Sequence, residues 1–311
     1  MDKAQLALIF LGFVCYLGSF IFAYLNTFGV EGLYFSTNGD VDNKYFQQAS
    51  PKAIAFAIVW PIIYLWNLAG IVYILVSCCL ADEKSPVKMT PTLVPKIFWL
   101  GYCLAFGSTV GWLFAFDREI LGLSFALLLI AVLSVYLAIG TSCKVVADNV
   151  DALEANNKVV LWLMRILIQN GLSTLATWLT VATLLNLADI IIYEDSFGVT
   201  PAVLRGNISV INGSTVSLAI LLVIVITWFV LENFVFEKYC RYIYTIYPVL
   251  ILATSALIDK LRALPDSNQN LIMASVDLAV VLVALIARVV LAILRRNKRS
   301  QRRASLDHEM K

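Results

Sequence analysis

Eight apolar runs of roughly 20 residues, the length that spans a bilayer's hydrocarbon core, restrict the architecture open to this chain more than any other feature. They begin near residues 5, 53, 95, 118, 160, 215, 240 and 270. In lipid, backbone polar groups must bond within their own helix or a closed barrel, and runs this continuous predict helices. The expected fold class is therefore an all-α polytopic membrane protein. Composition agrees, with 60% hydrophobic and 14% charged residues where soluble domains carry about 25% charged. No basic patch interleaves with polar surface, so nucleic acid is set aside as a partner. The first run, apolar from Leu6 to Tyr24 behind only Lys3, reads as a retained helix and not a cleaved signal.

Orientation follows from the cations. With both termini cytoplasmic, fifteen Lys and Arg fall on the inner side, including the seven of the tail from Arg295 to Lys311, and six fall on the outer side, five of them in the outer loops 29–52, 117–119, 193–213 and 262–269 and the sixth, Lys260, beside the last of these. Arg165 and Arg288 lie near inner ends and are expected to snorkel. Two N-x-[ST] sequons, at Asn207 and Asn212, share the third outer loop. Asn207 is the glycosylation candidate, because Asn212 lies close to the next span. The expected location is the endomembrane system or plasma membrane, in preference to mitochondria. All six cysteines lie in spans or at inner ends, so no disulfide framework is implied, while Cys78, Cys79 and Cys240 sit where palmitoylation is open to them. The charged tail is expected to remain unfolded against the anionic inner leaflet, and Ser305, after Arg302-Arg303-Ala304, is the phosphorylation candidate.

Within the second run, Phe56, Trp60 and Tyr64 recur every four residues and share one helix face. In a bilayer, burying that face against other helices brings no hydrophobic gain over lipid. The stripe is a candidate ligand surface or ordinary helix packing. The fifth run places Trp178, Ala182 and Asn186 on one face, and an intramembrane Asn either lines a cavity or bonds another helix. The third carries Gly107-x-x-x-Gly111, a pair permitting close backbone approach, followed by Trp112 and Phe116.

Pro51 with Phe56-x-x-x-Trp60-x-x-x-Tyr64, Trp112-Leu-Phe-Ala-Phe116 and the stretch from Trp178 to Asn186 together resemble the TspO/MBR family, the translocator proteins and tryptophan-rich sensory proteins, in a long form with extra C-terminal helices. The resemblance implies residues 1–192 as a five-helix ligand-binding bundle, 193–294 as an outer loop with about three further spans, and 295–311 as a basic cytoplasmic tail. It implies a pocket for a flat apolar ligand such as a porphyrin or sterol, lined by Phe56, Trp60, Tyr64, Thr109, Trp112, Trp178, Ala182 and Asn186, with loop 29–52 as its lid. Thr109 stands where the family commonly has Asn, and Leu175 where it commonly has Tyr. Polar ligand contacts are thereby thinned.

The only histidine is His308 in the tail, which leaves no His base, metal site or haem ligand in the bundle. No enzyme activity is expected, and porphyrin breakdown ranks last among the readings. No cofactor is required, a porphyrin or haem-related molecule being the one candidate. The expected partners are the lipid bilayer and a small apolar ligand, with a homodimer compatible. The function expected is receptor, sensor or carrier, the alternative being a secondary transporter of a small apolar or amphipathic solute. Asp277 and Arg288 share a face of the last run, as a polar packing contact or a proton or ion relay.

Overall fold

A computed structural model describes residues 2–194 and 200–309, with side chains described through residue 297. The chain runs α1 (Lys3–Thr27), α2 (Asn38–Lys44), α3 (Ala53–Ser77), α4 (Lys96–Asp117), α5 (Leu121–Asp148), α6 (Val150–Asn156), α7 (Lys158–Leu163), α8 (Gly171–Ile192), α9 (Val210–Val230), α10 (Glu237–Cys240), α11 (Ile246–Arg262) and α12 (Asn268–Glu309). A π-helical segment, Met164–Asn170, joins α7 to α8 without a break, and a second, Leu231–Val235, extends α9. Two short antiparallel strands, β1 (Tyr193–Glu194) and β2 (Val203–Leu204), pair beyond α8. Among the described residues seven helical stretches are long and apolar enough to cross a membrane. The protein is an all-α, multi-pass integral membrane protein.

The seventh expected span differs from the sequence reading. It opens not near residue 240 but at Ile246, and α11 has 17 residues, roughly 26 Å of helix. The preceding residues are drawn into a turn. Arg241 pairs with Glu237 at 3.0 Å, Tyr242 O accepts from Asn170 Nδ2 at 2.7 Å, and Tyr244 N donates to Asn170 Oδ1 at 2.8 Å. α11 nevertheless joins the two ends of the bundle, because Lys52 N donates to Ala256 O at 3.4 Å near its far end.

Asp2 and Arg295 lie at the same end of the bundle. Asp2 pairs with Lys96 at 2.7 Å and caps α1 through Gln5 N, while Arg295 donates to Asn233 O at 2.6 Å and Lys238 pairs with Asp148 at 2.9 Å. The opposite end carries α2, the α4–α5 turn, the β pair and the α11–α12 turn, and is called the lid end below. At the α4–α5 turn Glu119 adopts φ 60°, a left-handed conformation that a non-Gly residue holds only against local strain. Lys44 at 2.5 Å and Tyr45 at 2.6 Å hold its carboxylate there, joining turn to lid.

The close approach expected at Gly107 and Gly111 occurs one and a half turns earlier on α4. A Cβ at Gly101 would fall 2.6 Å from the backbone oxygen of Ser134 in α5, whereas one at Gly111 would meet only the Leu127 side chain, at 3.3 Å, and one at Gly107 nothing within 4 Å. Spacing alone does not reveal which small residue faces the neighbouring backbone.

Two more expectations change. The tail is helical through Glu309, because Arg, Lys, Gln, Ala and Leu are good helix formers and elongating an existing helix needs no new nucleus. The side chain of Ser305 lies outside the described residues. Arg165 and Arg288, only 5% and 9% exposed, do not snorkel. The Arg165 guanidinium lies 3.6 Å from the Tyr242 ring centroid, a cation–π contact, and Arg288 pairs with Glu232.

Candidate functional site

The aromatic stripe of α3 meets α4 and α8 inside the bundle. Phe56 lies edge-on to Trp178 with centroids 5.1 Å apart, Trp60 stacks on Tyr64 at 5.6 Å and on Trp112 at 6.3 Å, and Trp60 meets Trp178 edge-on at 6.5 Å. Trp112 in turn stacks on Phe116 at 5.8 Å. Three helices thus contribute to one wall, with each ring pair at a spacing favourable to aromatic contact. Pro61 sits inside α3 directly after Trp60. Lacking an N–H, it leaves a carbonyl one turn back without its helical donor.

Polar groups fix the wall from α1. The Tyr16 hydroxyl donates to Tyr64 O at 2.7 Å, and Ser19 Oγ lies 3.0 Å from the Tyr64 hydroxyl and 3.3 Å from Thr109 Oγ1. Thr109 also donates to Phe106 O at 2.7 Å. Its hydroxyl is therefore engaged between α1 and its own helix. Two donors in the wall are not: the indole N–H groups of Trp112 and Trp178 are buried and meet no acceptor among the described residues.

The α8 stripe divides. Trp178 joins the wall, and Ala182 provides the small surface one turn on. Asn186, a further turn toward the lid, accepts from the Ser124 hydroxyl of α5 at 2.6 Å and donates to Ala182 O at 3.2 Å. Asn186 is tied to helix packing, and the aromatic wall forms without it. Ser19 and Ser124 are the partners that sequence reasoning does not single out, because a serine among apolar residues carries no spacing signal.

Segment 29–52 is anchored at this end by side chains that also lack a motif. Tyr34 donates to Phe22 O at 2.8 Å, and Asp117 accepts from the backbone N–H groups of Phe35 and Ser36, each at 2.8 Å. Gln48 N donates to Ser214 Oγ of α9 at 2.8 Å, and Gln48 Oε1 accepts from Asn270 Nδ2 of α12 at 2.8 Å. The C-terminal helices therefore hold down the segment that leads into the aromatic stripe.

Other expected sites lie apart from the wall. Asn207 is exposed between β2 and α9, while Asn212 sits in the first turn of α9, where the Ser209 hydroxyl accepts from its backbone N–H at 3.1 Å. Cys79 is exposed, but Cys240 is buried against Cys143 and Ile243, so lipidation there would require the turn to open. Asp277 is 1% exposed, and neither carboxyl oxygen has a partner among the described residues. Arg288 pairs with Glu232 instead.

No curated protein and no solved structure matches the chain. A family model described as TSPO-like protein matches residues 9–294, spanning the five-helix part and the C-terminal helices alike. With the aromatic wall and the helical membrane architecture on which it is built, the chain belongs to the TSPO-like protein family.

Proposed function

We propose that the protein binds a flat apolar ligand, a porphyrin, a sterol or a molecule of similar shape, at the wall of Phe56, Trp60, Tyr64, Thr109, Trp112, Trp178 and Ala182, and acts as a receptor, sensor or carrier. The observation that carries this reading is the meeting of Trp60, Trp112 and Trp178 from three helices with two indole donors left without acceptors. A ring-shaped ligand with acceptor atoms at its edge would stack on the former and satisfy the latter. In the present arrangement the rings lie against one another, so a ligand enters by displacing ring–ring contacts. The domain division follows: residues 1–192 carry the site, 193–294 hold the lid, and the tail faces the cytoplasm.

The reading is tested by direct titration of porphyrin and sterol into wild type, Trp60→Ala and Trp178→Ala. Loss of one stacking or apolar contact should weaken binding by about 1–3 kcal/mol, or about 5- to 150-fold. Equal affinities in all three proteins would overturn it.

A further inference from the structure

At the end of the bundle opposite the lid, an arginine is held in place and left without an anion. Arg165 lies in the π-helical segment between α7 and α8 and is 5% exposed. Its guanidinium sits 3.6 Å from the Tyr242 ring centroid and 5.1 Å from that of Trp162, and the two rings meet edge-on at 5.5 Å. Asn170 fixes this arrangement, since its Nδ2 donates to Arg165 O at 2.8 Å and to Tyr242 O at 2.7 Å. A contact as short as 3.6 Å uses the face of the guanidinium. Its N–H donors, which lie in the plane of the group, are left over.

No acceptor takes them. Among the described residues the Arg165 side chain makes no hydrogen bond and no ion pair, and the Glu154 carboxylate acts on it only through space. The neighbouring cation Arg241 differs, because both oxygens of Glu237 accept from it, at 3.0 and 3.1 Å. A charge withdrawn from water is ordinarily paired, and contact with two rings is a weak substitute for an anion. Nor are the Arg165 nitrogens sealed in, as the orphaned indole N–H groups of the wall are. An anion can reach them.

Depth says which anion is at hand. The helical stretch Lys158–Ile192 has 35 residues, roughly 50 Å, against about 30 Å of hydrocarbon and about 40–45 Å with the headgroup layers included. Arg165 stands 27 residues before Ile192, roughly 40 Å along the axis, which is headgroup depth. Trp162 and Tyr244, both exposed beside it, are of the kind that gathers at that level. Ile166, exposed and one residue nearer the membrane centre, offers apolar surface to an acyl chain. Lys158, exposed two turns before Arg165 on the same face, offers a second cation.

We infer that Arg165 anchors a phosphate site, which takes the phosphate of an anionic phospholipid headgroup with the acyl chain along Ile166. A planar guanidinium presents paired donors that match two phosphate oxygens, and the phosphate supplies the missing charge. The site is separate from the aromatic wall. Trp178 stands thirteen residues beyond Arg165, roughly 20 Å along the axis.

The test titrates the delipidated full chain in a neutral detergent with dioleoylphosphatidylglycerol or dioleoylphosphatidylcholine and reads the first bound lipid by native mass spectrometry. Wild type should prefer phosphatidylglycerol by about tenfold or more, and Arg165→Gln should lose that preference. Lys158→Gln should reduce it by about fivefold, and Arg165→Lys, which keeps the charge without the planar fork, should reduce it as well. These two variants carry the test if Arg165→Gln does not fold. Arg296→Gln, an exposed cation of the tail, should leave the preference unchanged, and an equal loss there would reduce the effect to general attraction and overturn the site. No preference in wild type, or one undiminished in the Arg165 and Lys158 variants, would overturn it too. A parallel arm adds inorganic phosphate alone and reads thermal stability. Stabilisation of wild type by phosphate, lost in the Arg165 variants, together with no preference between the lipids, would assign the site to a soluble phosphate and overturn the lipid. Trp60→Ala should leave the lipid preference intact, so this site and the wall can fail independently.

Discussion

Asn186 accepts a hydrogen bond from the Ser124 hydroxyl at 2.6 Å, tying α8 to α5 in the interior of the bundle. An amide at this depth has two uses open to it, ligand contact or helix–helix bonding, and its oxygen is already engaged by the second. Asn186→Leu should therefore lower apo stability by about 0.6 kcal/mol, the average for an interhelical bond in a membrane, and Ser124→Ala should do the same. A double-mutant cycle measured by thermal unfolding should return a coupling of that order. Loss of binding for polar-edged ligands only, with apo stability unchanged, would instead place the amide at the ligand.

That pair marks where the sequence stops being legible. Apolar run length reveals the helices, because lipid makes backbone self-satisfaction compulsory and only long apolar helices meet that demand. Four-residue spacing likewise groups Phe56, Trp60 and Tyr64, and the wall contains all three. Spacing gives a face but not what lies opposite it, so Asn186 facing Ser124, or Gly101 facing Ser134, emerges only once the helices are packed. The short α11 is hidden for a related reason. Its start is set by Asn170 bonding Tyr242 and Tyr244, two residues that read as part of an apolar run.

Glu119 sets a pH limit on the lid. Its partial burial favours the neutral acid, but the bonds from Lys44 and Tyr45 outweigh that and hold its pKa below the ordinary carboxylate value. Since the folded pKa is depressed, the clamp is fully present above the unfolded value, about 4.3, and is lost as pH falls through the folded one. The protection factors of residues 38–45 against hydrogen exchange should be high at neutral pH and fall below about pH 4. Glu119→Gln should show the lower protection already at neutral pH. Protection unchanged between pH 7 and pH 3 would refute the clamp.

The same end of the bundle gives the orientation a direct test. We expect both termini in the cytoplasm, as the cation asymmetry requires, with the exposed Asn207 in the lumen or outside the cell. Expression in a glycosylating host should add one glycan, removed by Asn207→Gln and retained by Asn212→Gln. Asn212 lies in the first turn of α9, and Ser214 of its sequon is buried and accepts from Gln48 N. A tag fused after Lys311 should be digested in sealed vesicles whose cytoplasmic face is outward. Protection of that tag would reverse the topology.

Arg288 and Asp277 occupy the same buried face of α12 and predict opposite responses to mutation. Arg288 is fully engaged, pairing with Glu232 and donating to Cys240 O at 3.1 Å, while the Tyr247 hydroxyl donates to the same Glu232 carboxylate. Removing one member of a buried ion pair leaves the other uncompensated, which typically costs 3–5 kcal/mol. Arg288→Met should therefore be among the most destabilising single changes in the protein, and adding Glu232→Gln should recover part of the loss. Asp277 has no partner to lose among the described residues. Asp277→Val removes a buried polar group that contributes no hydrogen bond, and should raise stability by about 1–3 kcal/mol. Thermal unfolding of the four proteins in one detergent measures both effects. If Asp277→Val destabilises instead, that carboxyl makes a contact that offsets its burial, and the contrast between the two residues fails.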